Sequence, residues 1–544
     1  MLTVSDFFCG AGGFSEGFYQ AGFNVIFALD NWKPAKETHD FNHPDCKCEL
    51  MNILKLDTIE KIDEVIPDTD IIIGSPPCVS FSSSNKAGKA DKTLGVQLIE
   101  QYLKIILHKK TKPNSILKYW IMENVPNSLE HVKDVYTAEK LGLDSSLPNL
   151  EVKNKQILVA SNYGSPQGRK RAICGDYIIP EITHTEDTYI HTSKILDALG
   201  CPLKKKRVIN DPSFKDIKLK SRELSDHFYD TELPPELYLK AKRLKTDHGF
   251  MGKMDFPDRL NRLCRTIMAT EAYSSREAII FPKEGTDKVR APTIREISCL
   301  MGFPINYQFV GNNTTTKHKQ IGNAVCVHLS KALAEAIKKD MKISLTRKPR
   351  ENKIANINLN GSEPLFLNKT FNNVRKMNSK FSRHVPEIKI DSLRVELDNL
   401  ESDFETEKYK WNCYLHKGSG KKSAQKCKLN NDIIKKVIEK DVNFKDLENF
   451  IEEVIKPNIN NSILFQIKNC NIEDEREHYS PEYILDEISK KIKSFEISND
   501  EKIEVKELDK LLKYKPTQKN SNNSYPKNII YSLYLTNSVV SQLK

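Results

Sequence analysis

The stretch FFCGAGGF at residues 7–14 decides the fold of this chain. It follows the start of a short apolar run, Thr3–Phe8, and precedes a segment typical of a helix, so its three glycines lie at a turn between a strand and a helix. Glycines let such a turn bend tightly and approach a ligand, and the free N–H groups at the helix start favour negative charge. The loop alone is equally well explained by a nucleotide-like cofactor site and by a plain turn.

Short apolar runs alternate with amphipathic stretches up to about residue 176, and the clearest helical spacing spans residues 96–108. Strands that alternate with helices predict an α/β fold with a doubly wound sheet. In such a sheet, ligands bind at the carboxyl ends of the strands. The predicted strands are Thr3–Phe8, Asn24–Leu29, Asp70–Ile73, Tyr119–Met122, Ile157–Ala160 and Ala172–Cys174.

Three reactive side chains follow predicted strands. Asp30 comes about 20 residues after the glycines, where a carboxylate can accept hydrogen bonds from ribose hydroxyls or can be a solvated turn residue. Cys78 follows two prolines at a strand end and is either a nucleophile or an inert core thiol. Glu123 closes the next strand, and a carboxyl group near a thiol is what acid-assisted nucleophilic attack requires.

A basic segment, Gly168–Arg171, follows further along the chain. In an extended backbone Gln167, Arg169 and Arg171 lie on the same side. Two guanidinium groups on one side can bind a phosphate or a base carbonyl.

Taken in order, these motifs resemble those of the DNA cytosine-5 methyltransferase family over residues 1–340. The motifs are FxGxGG at 8–13, PPC at 76–78, ENV at 123–125, QxRxR at 167–171, RTI at 265–267, RE at 295–296, MGFP at 301–304 and GNAV at 322–325. The resemblance implies a Rossmann-like domain that uses S-adenosyl-L-methionine to methylate C5 of a cytosine flipped out of duplex DNA.

The resemblance also implies roles for individual residues. Cys78 would add to C6 of the base, which makes C5 nucleophilic. Glu123 would hold or protonate N3, and Arg171 with Arg169 would lie near O2 and the backbone. The residues expected at the cofactor are Phe8, Gly10, Gly12, Asp30, Asn52, Pro76 and Asn323. Asn52 replaces the aspartate that the family often has, and its carbonyl can still accept the adenine amino hydrogen bond.

These considerations divide the chain into a catalytic domain of residues 1–177 and 262–344, a target-recognition domain of 178–261 and a C-terminal α+β domain of 345–544. Within the recognition domain, base edges could be read by Arg222, His227, Tyr229, His248 or Arg259, with phosphates held by the basic residues of 204–207 and 240–245. Any one of these residues alone is better explained as solvated surface than as a specificity contact. In the C-terminal domain, 346–360 is predicted to be a linker and Ile529–Leu535 a last strand. We favour an accessory DNA-binding or structural role for this domain over a fused nuclease, which no motif supports.

Composition agrees with a polyanionic partner. The 544 residues carry a net charge of +11, divided as +5 in residues 1–344 and +6 in 345–544. The twelve cysteines include no CxxC pair, so their spacing indicates neither a zinc site nor a disulfide framework. Without a signal peptide or a membrane-spanning run, we expect a cytoplasmic monomer that acts on double-stranded DNA, with a cognate restriction endonuclease as genetic partner.

Two alternatives stay open from the sequence. One is a tRNA cytosine-5 methyltransferase of the same family, which shares PPC and ENV. The other is a DNA-binding protein without catalytic activity, against which the intact Cys78, Glu123 and Arg171 argue.

Overall fold

The computed structural model describes most of the chain in two units. The described residues are 2–77, 92–204, 208–246, 254–270, 273, 275–347, 349–355, 361, 364–366, 380–390, 392–403, 406, 408–418, 425–459, 481–511 and 524–543. The first unit comprises Met1–Asp247 and Met254–Lys369, and the second comprises His248–Lys253 and Thr370–Lys544. Among the described residues, no helix combines the length and apolarity that crossing a bilayer requires.

A seven-stranded mixed sheet forms the centre of the first unit, with the strand order β3-β2-β1-β4-β5-β9-β8. The first five of these strands run parallel, whereas β9 is antiparallel to both of its neighbours. The strands are β1 Thr3–Phe7, β2 Asn24–Asp30, β3 Lys47–Leu50, β4 Ile71–Gly74, β5 Tyr119–Asn124, β8 Asn154–Val159 and β9 Lys170–Asp176; β6 Val135–Tyr136 and β7 Leu150–Glu151 form a separate pair. The doubly wound α/β prediction is confirmed, and β3 is the strand of this sheet that the sequence analysis did not predict.

Helices cover both faces of this sheet. On one face Phe14, Phe18 and Leu333 join the core of the sheet, and on the other face Tyr102 and Leu103 do so. The helices are α1 Gly13–Gln20, α2 Lys33–Asn42, α3 Ile59–Val65, α4 Lys92–Thr111 and, later in the chain, α9 Val327–Asp340. Because the strand order reverses between β1 and β4, the crevice at the carboxyl ends of these strands is where a ligand is expected.

The segment between β9 and α9 forms a second core in the first unit, in which Phe228, Ile297 and Phe303 are buried. Its elements are α5 Thr192–Leu199, β10 Val208–Asn210, β11 Lys218–Lys220, α6 Pro235–Thr246, β12 Phe281–Pro282, β13 Val289–Arg290, α7 Ile294–Leu300 and α8 Thr314–Asn323. Residues from both sides of position 261 share this core, so the division of 178–261 from 262–344 as separate domains stays a prediction.

The second unit is an α+β structure with its own core. Its strands β14 Ser382–Ile390, β15 Leu393–Asp398, β16 Asn412–Lys417 and β17 Gln425–Cys427 form an antiparallel sheet, and β18 Lys502–Glu504 pairs with β19 Ser524–Pro526. The helices are α10 Asn431–Ile438, α11 Phe444–Phe450, α12 Lys456–Asn458, α13 Pro481–Lys493, α14 Lys506–Leu511 and α15 Lys527–Gln542.

The predicted strand Ile529–Leu535 is wrong, because these residues lie within α15. Ile529, Tyr531, Leu533 and Leu535 are all buried, and so are Ile530 and Tyr534 between them. A continuous apolar run does not distinguish a buried strand from a buried helix. Length does distinguish them: the run belongs to a 16-residue element, which is longer than the usual strand and typical of a helix.

Candidate active site

The turn after β1 has the backbone geometry that only glycine adopts without strain. Gly10 has φ +54° and Gly12 has φ +88°, both in the left-handed region, and Phe8 shares it with φ +56°. A Cβ at Gly10 would meet no protein atom within 4 Å, whereas one at Gly12 would lie 2.6 Å from the Tyr307 hydroxyl. The absence of a side chain at Gly12 therefore allows Tyr307 to pack against the loop, whereas its absence at Gly10 leaves open space beside the loop.

Asp30, at the end of β2, holds in place the turn of residues 8–12, which we call the glycine loop. Its Oδ2 accepts a hydrogen bond from the Gly10 N–H at 2.8 Å, and its Oδ1 accepts one from the Trp32 N–H at 2.8 Å. Burial raises the pKa of this carboxyl, although hydrogen bonds from backbone N–H groups oppose the rise. Each oxygen keeps a second lone pair, so the carboxylate fits the two neighbouring hydroxyls of a ribose.

The two asparagines predicted at the cofactor are both exposed. Asn52 follows β3, and its side chain accepts a hydrogen bond from Leu54 N–H at 3.0 Å. Asn323 ends α8, and the next residues lie against the glycine loop, since a Cβ on Gly13 would be 2.3 Å from the carbonyl oxygen of Val325. The structure thus brings the 322–325 motif to the turn after β1.

Glu123, near the end of β5, is buried and bound on both carboxylate oxygens. The Ser75 hydroxyl donates to Oε2 at 2.6 Å, and Nε of Arg171 lies 2.8 Å from Oε1. The side chain of Arg171 is 13% exposed, so this ion pair opens toward solvent on the arginine side. We refer to Ser75, Glu123 and Arg171 as the strand-end site.

The segment after β4 leads into this site. The N–H of Ser75 donates to the carbonyl of Phe7, and the side-chain amide of Asn124 donates to the carbonyl of Pro76 at 3.1 Å. These bonds hold Ser75 and Pro76 between β1 and β5. The predicted nucleophile Cys78 lies just outside the described residues.

Arg169 lies apart from the strand-end site. It is buried, and its guanidinium donates to the carbonyls of Ile267 at 2.9 Å and Gly322 at 3.0 Å. Gln167 is buried as well, and its amide accepts from the Ile267 N–H and donates to the Leu300 carbonyl. These two residues bind the backbone of the later segments, whereas Arg171 alone of the three contacts Glu123.

A buried network that the sequence analysis missed lies next to the glycine loop. Asp6 of β1 accepts from the N–H of Ser15 at 3.1 Å and from its hydroxyl at 2.6 Å, and that hydroxyl is 3.0 Å from Nε2 of His39. Burial raises the pKa of Asp6 to about 7, and burial lowers the pKa of His39 to about 3. Asp6, Ser15 and His39 form what we call the buried network.

A second contact ties the loop to the segment predicted as a linker. Arg350 binds both carboxylate oxygens of the buried Glu16, at 2.6 and 3.2 Å, and lies over the ring of Tyr19 and the ring of Tyr307. The Tyr307 hydroxyl donates to the Ala11 carbonyl within the loop at 2.5 Å. We refer to Glu16, Arg350 and Tyr307 as the clamp. Residues 349–355 lack helix and strand, as a linker would, but Arg350 packs into the first unit.

Some of the candidate residues for contacts with DNA are buried and cannot make such contacts. His227 is fully buried, with its ring nitrogens 3.1 Å from Thr293 Oγ1 and from the Gly200 carbonyl. Tyr229 is buried and accepts from the Ile294 N–H. Lys245 is buried against Asp258. Arg222 and Arg259 are exposed, and His248 and Lys205–Arg207 lie outside the described residues.

The sheet, the glycine loop and the carboxylates at the strand ends define a Rossmann-like methyltransferase domain. The family described as C-5 cytosine-specific DNA methylase matches residues 2–339, so the chain belongs to this family and is a DNA (cytosine-5-)-methyltransferase. It is 30% identical over 353 residues to the type II methyltransferase M.MthTI of Methanothermobacter thermautotrophicus, covering 62% of this chain and 98% of that protein.

Two further proteins are similar. Type II methyltransferase M1.HphI of Haemophilus parahaemolyticus is 27% identical over 354 residues, covering 62% of this chain and 87% of its own. The crystal structure of the S. pombe Dnmt2 methyltransferase is 17% identical, with a TM-score of 0.44, over 63% of this chain and all of that one. The matched region of the family ends before Arg350.

Proposed function

We propose that the first unit transfers a methyl group from S-adenosyl-L-methionine to C5 of a cytosine within a specific duplex DNA sequence. The observation that supports this most directly is the strand-end site. A buried glutamate, fixed by a hydroxyl and a guanidinium, stands beside the Pro-Pro segment that leads to Cys78. Such a carboxyl group can hold a ring nitrogen of a base while a thiolate attacks the same ring.

The turn after β1 is suited to the cofactor. Asp30 would accept hydrogen bonds from the ribose hydroxyls, and the open space at Gly10 would let the backbone approach the methionine part. Phe8, Gly12, Asn52, Pro76 and Asn323 complete the proposed lining, with Asn52 accepting from the adenine amino group. S-adenosylmethionine, when bound, supplies an electrophilic methyl group.

In the proposed reaction the Cys78 thiolate forms a bond to C6 of the flipped-out cytosine, and the ring electrons move toward C5. Glu123 holds the N3 position and stabilises the charge that develops there. Arg171 keeps the Glu123 carboxylate in place and lies near O2 of the base. C5 would then accept the methyl group as its bond to the cofactor sulfur breaks and leaves a thioether, the C5 proton would pass to solvent, and elimination would break the bond between C6 and Cys78. We assign Arg169 a positioning role, because its guanidinium binds the backbone carbonyls of Ile267 and Gly322.

We further propose that residues 178–261 recognise the target sequence and that the methylation protects host DNA in the cytoplasm. The curated relatives are named type II methyltransferases, which supports this role and a cognate endonuclease as genetic partner. Arg222 and Arg259 are the exposed residues that remain as candidates for base contacts. The enzyme would act as a monomer.

Expression in a host without DNA methylation, followed by base-resolution mapping of 5-methylcytosine, tests this proposal. We expect modified cytosines within one short sequence context, and we expect Cys78→Ala to abolish them. Cys201→Ala is the matched control, since Cys201 is a partly exposed free thiol away from the motifs. Full methylation by Cys78→Ala would refute the covalent mechanism.

The two alternatives give different results in the same preparation. With labelled cofactor, a tRNA methyltransferase would label tRNA and leave duplex DNA unlabelled. A DNA-binding protein without catalytic activity would label neither and would still bind duplex DNA. Methyl transfer to duplex DNA that depends on Cys78 excludes both.

A further inference from the structure

The antiparallel sheet of the second unit has one apolar and one polar face. Val395, Leu397 and Leu415 point into the core. The side chains between them alternate to the opposite face. That face carries polar groups from all four strands, namely His384, Arg394, Glu396, Tyr414, His416 and Lys426. None of the motifs that define the methyltransferase domain lies here.

Three of these residues converge on one point. Oε2 of Glu396 lies 3.2 Å from Nε2 of His416 and 3.7 Å from Nδ1 of His384, and the three atoms all lie within 4.8 Å of one another. In a tetrahedral site with bonds of about 2.0–2.1 Å, neighbouring ligand atoms are roughly 3.3 Å apart. The spacing of the three side chains therefore leaves room for one metal ion between them.

The second oxygen of Glu396 is already bound. The Ser382 hydroxyl donates to Oε1 at 2.6 Å, and Nζ of Lys426 lies 2.8 Å from the same oxygen. This arrangement fixes the carboxylate and leaves Oε2 directed at the two imidazoles. Hydrogen bonds that orient a ligating carboxylate in this way are a regular part of metal sites.

We propose that His384, Glu396 and His416 bind a divalent transition-metal ion of the zinc type. Two imidazoles and one carboxylate suit such ions. Three protein ligands leave at least one position for water or an oxygen of a substrate. The side chain of His384 is 33% exposed, which gives the ion a path from solvent, whereas Glu396 and His416 are buried.

The guanidinium of Arg394 competes with a bound metal ion for the imidazole of His416. Its Nη2 lies 3.3 Å from Nδ1 of His416. Because a guanidinium only donates, Nδ1 accepts, and without metal the imidazole proton is on Nε2, facing Glu396. Metal binding takes the Nε2 lone pair, the proton moves to Nδ1, and Arg394 keeps its bond to the Gly418 carbonyl.

Titration of the full-length, chelator-treated protein with Co²⁺ tests the proposal. We expect one equivalent to bind with visible absorption typical of nitrogen and oxygen ligands and without a sulfur-to-cobalt charge-transfer band, and we expect Zn²⁺ to displace it. Glu396→Gln and His416→Ala should each weaken binding at least a hundredfold. Unaltered binding by both variants, or no stoichiometric binding by wild type, would overturn the proposal.

Two further variants make the test decisive. The group His39, Asp40 and Cys48 of the first unit also places possible ligands together, and it contains a thiol. Cys48→Ser should leave the nitrogen–oxygen signal unchanged. Arg394→Leu removes the competing donor and should tighten Co²⁺ binding about tenfold, the equivalent of one hydrogen bond. A gain of affinity cannot come from unfolding. If Arg394→Leu keeps the wild-type circular dichroism spectrum and yet binds Co²⁺ no more tightly than wild type, the site is contradicted.

Discussion

The strand-end site bonds the last residue of β1, through Ser75 N–H and the Phe7 carbonyl, and the clamp bonds the turn that follows, through Tyr307 and the Ala11 carbonyl. The two sites are nevertheless assembled from very different distances along the chain. Ser75 and Glu123 are 48 residues apart; Ser75 directly follows β4, and Glu123 lies in the neighbouring strand β5. Glu16 and Arg350 are 334 residues apart, and Arg350 lies beyond the residues that match the family. The proposed chemistry depends on short motifs at strand ends, whereas the support of the turn after β1 depends on a distant segment.

This comparison separates two kinds of effect. A change in the strand-end site should reduce methyl transfer while the fold stays intact. A change in the clamp or the buried network should first reduce the stability of the first unit, and only then the affinity for the cofactor. The following variants test that separation.

The largest expected effect is that of Glu123→Gln. An amide cannot take part in proton transfer and does not stabilise the charge on the base, and such general acid–base groups contribute about 10²–10⁴-fold to the rate. We expect kcat for methyl transfer to fall by that range while KM for the cofactor stays within about threefold. Initial rates with labelled cofactor measure both constants.

Glu130→Gln is the matched control for Glu123→Gln, because Glu130 is an exposed glutamate just after β5. It should keep wild-type activity. If Glu123→Gln retained more than a tenth of the wild-type rate, the strand-end site would not be the catalytic centre.

Arg350→Met should cause the largest loss of stability. It leaves the buried Glu16 carboxylate without its guanidinium, and removing one partner of a buried pair costs about 3–5 kcal/mol. Thermal unfolding followed by near-UV circular dichroism should show the first unit melting at a temperature lower by roughly 10 °C. Catalysis at low temperature should change much less than it does in Glu123→Gln.

Arg347→Met provides the comparison for Arg350→Met. Arg347 pairs with Asp216, whose side chain is 65% exposed, and exposed pairs contribute about 0–1 kcal/mol. Equal losses for the two variants would show that the clamp contributes nothing specific. Adding Glu16→Gln to Arg350→Met should restore part of the lost stability, because the unpaired charge is then removed.

Two glycine substitutions separate cofactor approach from packing within the loop itself. Gly12→Ala places a Cβ 2.6 Å from the Tyr307 hydroxyl, so we expect a loss of about 2–3 kcal/mol of stability from overpacking and backbone strain. Gly10→Ala meets no protein atom and should cost only about 1 kcal/mol. Its Cβ enters the space proposed for the cofactor, so KM for the cofactor should rise at least tenfold.

Thermal melts and cofactor titrations on both glycine variants check these expectations. A Gly10→Ala protein that binds the cofactor as well as wild type would place the cofactor away from this loop. A Gly12→Ala protein as stable as wild type would show that the loop can move away from Tyr307.

The sequence analysis correctly predicted the strands whose positions are determined by the local pattern of apolar residues. β1, β2, β4 and β5 lie where short apolar runs occur, and Asp30 and Glu123 stand at the strand ends as expected. It did not predict the pairing of Arg350 with Glu16, because nothing near Arg350 distinguishes it from the other cations of a polar segment. Its burial follows from tertiary contacts alone.

The polar character of two side chains also led to a wrong expectation that they are exposed. His227 and Tyr229 are candidates for base contacts from the sequence, with solvated surface as the alternative, but each is buried and finds hydrogen-bond partners inside the first unit, which offset the cost of burying it. The roles proposed for Cys78 and the cofactor residues stay predictions.

The smallest expected effect at any single step of the measurement concerns the pH dependence of stability that the buried network introduces. The pKa of Asp6 is about 7 in the fold, against a value near 4 for an unfolded chain, so between these values the folded state holds a proton that the unfolded state has released. Stability from this group is therefore lost as pH rises from about 4 to 7, by at most about 1.4 kcal/mol per unit. Asp6→Asn cannot titrate, so its stability relative to wild type should increase over this range and level off above it.

Thermal melts of wild type and Asp6→Asn at half-unit steps from pH 4.5 to 8 measure this difference. His39, with a pKa of about 3 in the fold, contributes with the opposite sign between about pH 3 and 6.5, because the unfolded state then binds the extra proton. It is present in both proteins, so its contribution cancels in the comparison. If the difference in stability does not vary with pH, Asp6 is ionised beneath the loop over the whole range. The loop would then be supported by a charged carboxylate at Asp6 as well as at Glu16.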